Sequence, residues 1–534
     1  MNKKTTKHGM NRRSFLAGSS RALMVPLVLQ GLPLRAIEGA ALGDLFNIET
    51  ETDRVLVLVQ LNGGNDGLNT LIPLSDYGTY QRLRSNIAIG EKSVLPMRDD
   101  MGFHPVMSGI KNLWSDQKMN VIQGVAYPNP NLSHFGSTDI WMSGATEATR
   151  TTTGWIGRYL NMEYPGYPQG YPNTTMPDPI AIQIGAVTGL ALTGLEHQSM
   201  GMALQDPEAF YRMVSGSSGG GSELPQAARA ADKIEHVHEV QSKALQFSVV
   251  IKAAADKANN KVTYPTTNRL ADQLKIVSRL IAGGLKTRVY VVQLNGFDTH
   301  AAQTDASDTT IGSHANLLKQ VSEAVFAFQQ DIEALGIADR VITMTFSEFG
   351  RRPASNVSLG TDHGTAAPMF VFGTQVEPIV TGTNPDLHNL DKDNLRMQFD
   401  FRQVYSSVLQ QWFGVSPETV SNILYGTYPT VQVIKQQTTS VQADANAMSF
   451  TLRAVTPNPV HQSANITYEL RAAMHVRLDV FDAIGFHVTT LADGAHNPGV
   501  FTAPFNTSAL PSGTYVIQLT SGREQATQTI VVVR

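Results

Sequence analysis

The feature that most restricts the possible folds is the run Val55-Leu56-Val57-Leu58-Val59-Gln60-Leu61, apolar but for one residue. A strand with one wet face alternates apolar and polar, because successive side chains point to opposite sides of the sheet. This run does not alternate, so it reads as a strand covered on both faces, the condition of central strands in parallel sheets. Further candidate strands are Asn120–Gly124, Ile180–Ile184, Arg288–Leu294, Val341–Phe346 and Met369–Phe372. Leu318, Val321, Val325, Phe328, Ile332 and Leu335 form the apolar stripe of an amphipathic helix, which ends at Gly336 just ahead of the Val341 strand. Strand, helix, strand in that rhythm gives parallel βαβ units, hence an α/β fold with a mostly parallel sheet covered by helices on both faces.

With 534 residues, 42% of them hydrophobic and 16% charged, the chain has room for about three average domains or, equally well, for one large α/β domain and a small partner. A formal net charge of −4 and the lack of a basic patch leave nucleic-acid phosphates nothing to pair with. Cysteine is absent, which excludes disulfides, thiolate zinc sites and a cysteine nucleophile. The loop after the first strand, Asn62-Gly63-Gly64-Asn65-Asp66-Gly67, is glycine-rich but lacks the G-x-G-x-x-G spacing, so no nucleotide cofactor is expected.

Near the N-terminus, Asn11-Arg12-Arg13-Ser14-Phe15-Leu16 resemble a twin-arginine export motif. They precede an apolar stretch, Ala22 to Leu34, interrupted by Pro26, Gly31 and Pro33, and then small residues from Ala36 to Ala41. A bilayer span needs ~20 apolar residues, so this stretch is too short and broken to be a transmembrane anchor. Residues 1–41 therefore read as a signal peptide for the twin-arginine export machinery. That route carries proteins folded before export, often with a metal or cofactor already in place, which hints at a metal in the main domain.

The core domain is expected over residues 55–435, with a Gly/Ser loop at Ser215–Ser222 and a helical stretch, Glu223–Lys257, as a cap or lid. Gln436–Met448 is rich in Gln, Thr, Ala and Asn and reads as a linker. Residues 449–534 carry short alternating strands at Val476/Leu478/Val480, Tyr515/Ile517/Leu519 and Ile530/Val532, the pattern of a small all-β sandwich. This tail resembles the type A C-terminal sorting domain of type IX secretion substrates. The matching features are Pro457-Asn458-Pro459, Asp482-Ala483-Ile484-Gly485, Leu510-Pro511-Ser512-Gly513-Thr514-Tyr515 and a last strand ending at Arg534. The resemblance implies the type IX secretion machinery as a partner and a cell-surface, outer membrane-associated or extracellular address. A carbohydrate-binding sandwich would expose aromatic platforms, and the tail has no Trp.

Open α/β sheets bind ligands at the carboxyl ends of their strands. There the core offers Asn62 to Asp66, the segment Ser133-His134, Asp298-Thr299-His300, Ser347-Glu348-Phe349-Gly350-Arg351, and Asp362-His363. Singly, each has a bland reading as a helix cap or turn. Together, they suggest one site. Imidazole with carboxylate suits zinc, manganese or iron, and carboxylate alone would suit magnesium or calcium.

At these residues the chain resembles the domain-of-unknown-function family 1501, a relative of the alkaline phosphatase and sulfatase superfamily. The motifs are Leu61 to Thr70, Ser133-His134-Phe135, Gly296 to His300, Ser347 to Arg351 and Gly360 to Gly364. The resemblance implies an alkaline-phosphatase-like sheet and a metal-dependent hydrolase of phosphate or sulfate esters, on an anionic ester or glycan. Asp298 and His300 are similar to the superfamily's Asp and His ligands, and His363 to its late histidine. Ser133 or His134 falls at the nucleophile position, and Asn62 or Asp66 at the first strand's ligand. Where the superfamily has Asp-His, this chain has Ser347-Glu348, and it lacks the Cys/Ser-x-Pro-x-Arg frame of sulfatases. The expected ligands and supporting groups are then Asp66, Asp298, His300, Glu348, Asp362 and His363. The catalytic set is Ser133, His134 and Arg351, the last to neutralise an ester oxygen. The competing reading is a non-catalytic surface protein that keeps the fold for binding or assembly.

Overall fold

The computed structural model describes residues 53–146, 148–149, 151–204, 247–435, 449–453, 455–482, 487–521 and 524–533. The export motif, the Ser215–Ser222 loop, most of the Glu223–Lys257 stretch and the Gln436–Met448 linker lie outside these residues, as do Ala483, Ile484, Gly485 and Arg534. Two compact units meet in the chain between Val433 and Ile434.

The first unit is built on a nine-stranded sheet. Its strands are β1 (Val55–Asn62), β2 (Met119–Ala126), β3 (Ala181–Ile184), β4 (Met202–Leu204), β5 (Val289–Asn295) and β6 (Val341–Phe346). After a two-stranded hairpin, β7 (Arg351–Ser355) and β8 (Thr361–His363), the sheet resumes with β9 (Ala367–Phe372), β10 (Val380–Thr381) and β11 (Phe399–Asp400). The order is β10-β2-β9-β6-β1-β5-β3-β4, with β11 also paired to β2. β1 lies in the middle, parallel to β5 on one side and β6 on the other. Both neighbours are parallel because the helix α5 (Ser313–Ala334) carries the chain back between them. β9 runs antiparallel to β6 and β2, since a hairpin rather than a crossover helix leads into it.

The composition of β1 follows from this placement. Val55, Val57, Val59 and Leu61 pack with Leu274 and Val277 of α4 (Arg269–Ala282) and with Val321 and Phe328 of α5. The alternate residues Leu56 and Leu58 are equally buried. Helix α2 (His134–Ser143) is fixed by Trp141, which stacks 5.8 Å from Phe346 and 4.4 Å from Phe401.

The second unit has two antiparallel sheets, one of three strands and one of four. Phe450, Ile466 and Phe505 from the first share one apolar core with Val476, Leu478, Ile517 and Ile530 from the second. Among the described residues no helix is long and apolar enough to cross a membrane.

Candidate metal centre

β1, β5 and β6 end along the same edge of the sheet, and their loops can meet only if the backbones approach closely. Gly63, at φ 124°, sits where a Cβ would lie 2.3 Å from the amide nitrogen of Asp298. Gly64, at φ 81°, leaves room for the Phe349 ring, which a Cβ would meet at 2.4 Å. These two glycines let the loops after β1, β5 and β6 interlock.

The result is a cluster around one carboxylate oxygen. Asp298 Oδ1 lies 3.4 Å from His134 Nε2, 3.3 Å from His300 Nε2 and 3.4 Å from His363 Nε2. The Nε2 atoms of His300 and His363 are 2.9 Å apart. His134, Asp298 and His363 present ligand atoms all within 4.8 Å of one another.

The opposite nitrogen of each ring is already committed. His363 Nδ1 donates to the Leu132 carbonyl at 2.8 Å, and a carbonyl can only accept. His134 Nδ1 lies 2.8 Å from Glu348 Oε1, which also accepts the Gly63 amide at 2.9 Å. His300 Nδ1 faces Asp362 Oδ1 at 3.4 Å. With protons on the three Nδ1 atoms, the Nε2 lone pairs point at Asp298 Oδ1. In that tautomeric state the crowded lone pairs are stabilised by a cation or a shared proton between them. His134 Nε2 is itself buried without a hydrogen-bond partner. Histidine ligands whose far nitrogen is held by a carboxylate or carbonyl are the usual build of metal sites. A tetrahedral ion with ligands at roughly 2.0–2.1 Å has ligand–ligand edges of about 3.3 Å, close to the spacings here. The residues present therefore fit a divalent cation.

The charge states suit one too. Burial raises the Asp298 carboxyl, but the hydrogen bond and charge of Arg351, aided by His134, hold it down at about 2. Burial lowers the His363 pKa, against the hydrogen bond to the Leu132 carbonyl, which raises it, and the Arg351 charge adds to the lowering.

Other expected site residues take different places. Asp66 is not in the cluster: fully buried, it caps the turn Gly67–Thr70 and takes Arg84 at 2.7 Å and Gln303 at 2.6 Å, which use up its oxygens. Asn62 bonds Asn295 at 3.0 Å. Glu348 and Asp362 stand behind histidines. Arg351 is fully buried, and its guanidinium donates to the carbonyls of Gly63, Gly64, Phe297 and Thr361 and to Asp298 at 2.7 Å. Its Nε and Nη2 protons are taken, and the one Nη1 N–H without a partner among the described residues sits on a side chain closed to solvent, so Arg351 positions Asp298 instead of clamping an ester. Ser133 is exposed at the N-cap of α2 and makes no capping bond, and among the described residues its hydroxyl has no partner. Nothing in the sequence marks Leu132, whose contribution is a main-chain carbonyl with no residue signature. Nor does it mark the ring of Phe349, which packs 4.9 Å from His134 and 4.6 Å from His363.

The family model DUF1501, described as a protein of unknown function, matches residues 53–424. The secretion system C-terminal sorting domain matches residues 454–533. This tail marks the chain for export to the cell surface by type IX secretion. None of the curated proteins matches the chain. Among solved structures, a protein in the alkaline phosphatase superfamily from Vibrio parahaemolyticus is 9% identical, covering 89% of this chain and 83% of that one, with a TM-score of 0.35. The PsFucS1 sulfatase from Pseudoalteromonas sp. is 10% identical over 88% of this chain and 86% of its own, with a TM-score of 0.30. Dimeric latent PorU from Porphyromonas gingivalis is 16% identical, at a TM-score of 0.14, over 16% of this chain and only 9% of its own length. Overlap this loose says nothing of substrate.

Proposed function

The chain belongs to the DUF1501 family, and on that premise we propose that its core is a metal-dependent hydrolase of phosphate or sulfate esters, carried to the cell surface by its tail. The observation that carries this reading is the convergence of three imidazole Nε2 atoms on Asp298 Oδ1, with His134 Nε2 buried and unpartnered. His134, Asp298, His300 and His363 would hold the cation, with zinc, manganese or iron favoured by the imidazole-rich set. When bound, such an ion supplies Lewis acidity towards an ester oxygen or a water.

The chain's own groups do the rest. Glu348 keeps the His134 proton on Nδ1, and the Leu132 carbonyl does the same for His363. Arg351 holds Asp298 ionised and fixed. The free N–H groups at the start of α2 favour an anionic ester oxygen. The Ser133 hydroxyl, exposed at that same end, is the candidate nucleophile, and the competing role of His134 gives way to ligation. Export is proposed to run in two steps, twin-arginine transport across the inner membrane and then type IX secretion.

The test is elemental analysis of the mature protein together with assays on phosphate and sulfate monoesters. About one divalent ion per chain is expected, lost in His363→Ala and in Asp298→Asn, with ester hydrolysis lost in step. A metal-free wild type without esterase activity would favour a binding or assembly protein.

A further inference from the structure

The cation cluster occupies only the N-terminal tip of α2. Along the same helix lies a cavity of about 290 Å³, lined by Asn131, Asp139, Ser143, Thr151 and Thr152 among others. That volume is at the small end of ligand pockets, which run roughly 300–1,000 Å³. A second cavity, of about 240 Å³, is lined by Leu285 to Arg288 and Arg340, residues that precede β5 and β6. It therefore lies at the opposite edge of the sheet and has no part in this chemistry.

The first cavity is tied to the metal centre by the chain itself. Asn131 lines the cavity, the Leu132 carbonyl holds His363, Ser133 caps the helix and His134 faces Asp298. Among the described residues its lining is three hydroxyls, one amide, one carboxylate, Gly136 and the apolar Ile140, with no Lys, Arg or His. Such a lining offers an anion no cationic partner and suits a neutral, hydroxyl-rich group with an apolar face. Asp139 is exposed and makes no hydrogen bond or ion pair among the described residues, so its oxygens are open to donors from a ligand. One helical turn before Asp139, on the same face, Phe135 stands 88% exposed. A bare aromatic ring beside a hydroxyl-lined cavity is what a pyranose needs: an apolar face to stack on and polar partners at the rim.

We propose that the cavity bounded by Asn131, Asp139, Ser143, Thr151 and Thr152, with the neighbouring Phe135 ring, is a subsite for the neutral sugar ring of an ester-bearing saccharide. This rests on the ester-hydrolase reading and adds its substrate class: the charged group meets the His134–Asp298–His363 centre while the rest of the ring lies along α2.

The experiment is calorimetric titration of the full chain with neutral hexasaccharides of glucose, galactose, mannose and N-acetylglucosamine, alongside metal analysis. At least one sugar is expected to bind the wild type. Phe135→Ala and Asp139→Ala should each weaken it about tenfold, the equivalent of ~1.4 kcal/mol, without changing metal content. His363→Ala should lose metal and keep the sugar. If no hexasaccharide binds, or both surface variants bind as the wild type does, the subsite is overturned whatever the metal result. Sugar binding that depends on Phe135 in a metal-free protein would support the subsite and sink the hydrolase reading beneath it.

Discussion

His134 Nδ1 lies 2.8 Å from Glu348 Oε1, although 214 residues separate them in the chain. The same oxygen accepts the Gly63 amide, so one buried carboxylate ties together the ends of β1 and β6 and the start of α2. Glu348 sets which nitrogen of His134 carries the proton, and with it the direction of the lone pair offered to a cation.

Glu348→Gln should therefore weaken metal binding without unfolding the core. The amide oxygen can still accept the Gly63 N–H, but the charge behind His134 is gone. Loss of such a supporting group typically costs 10–100-fold in metal affinity. Competition with a coloured chelator measures it, and an unchanged affinity would show that Glu348 is only a packing residue.

Gly63→Ala should damage both stability and the site. The new Cβ would meet the backbone of Phe297 and Asp298 at 2.3–2.9 Å, at a φ of 124° that L residues rarely adopt. Overpacking and backbone strain together cost roughly 2–4 kcal/mol. Urea denaturation should show a loss of that order, with metal content falling as the Asp298 loop is displaced.

Acid should destabilise the core well before its carboxylates are titrated. Burial pushes His104 down to about 3 and His314 down to about 4, each pulled partly back by Asp66, so both are neutral in the fold. The unfolded chain protonates them near the ordinary value of about 6.5. Below that pH the unfolded state binds more protons, so stability falls from about pH 6.5 down to the folded values and is intact above 6.5. Between pH 7 and pH 5 each histidine accounts for up to about 2 kcal/mol. Urea midpoints at the two pH values, for the wild type and for His314→Asn, provide the check: the variant should lose less on acidification.

Truncation after Met448 should leave the first unit folded and stop its delivery to the cell surface. The described tail residues form a closed apolar core of their own, built from both sheets. Cell fractionation and protease shaving should find the truncated chain inside the cell envelope. Its appearance on the surface in wild-type amounts would contradict the sorting role.

The pattern of residues along the chain is enough to give the sheet and the edge where chemistry gathers. Burial on both faces forces an unbroken apolar run, so β1 announces itself, as does β6, and the stripe of α5 shows the face it buries. What it left open is which polar residues turn towards one another. Asp66 and Asp298 both follow central parallel strands, and nothing local tells them apart. One is drawn into an ion pair with Arg84 and a cap on the next turn, the other into a ring of histidines. Arg351, read as a substrate clamp, is buried among loop carbonyls that the interlocked glycine loops bring around it. The reason is physical: strand burial is imposed by composition along the chain, whereas a loop side chain's direction is set by backbone angles and by partners hundreds of residues away. Only the folded chain brings those partners together.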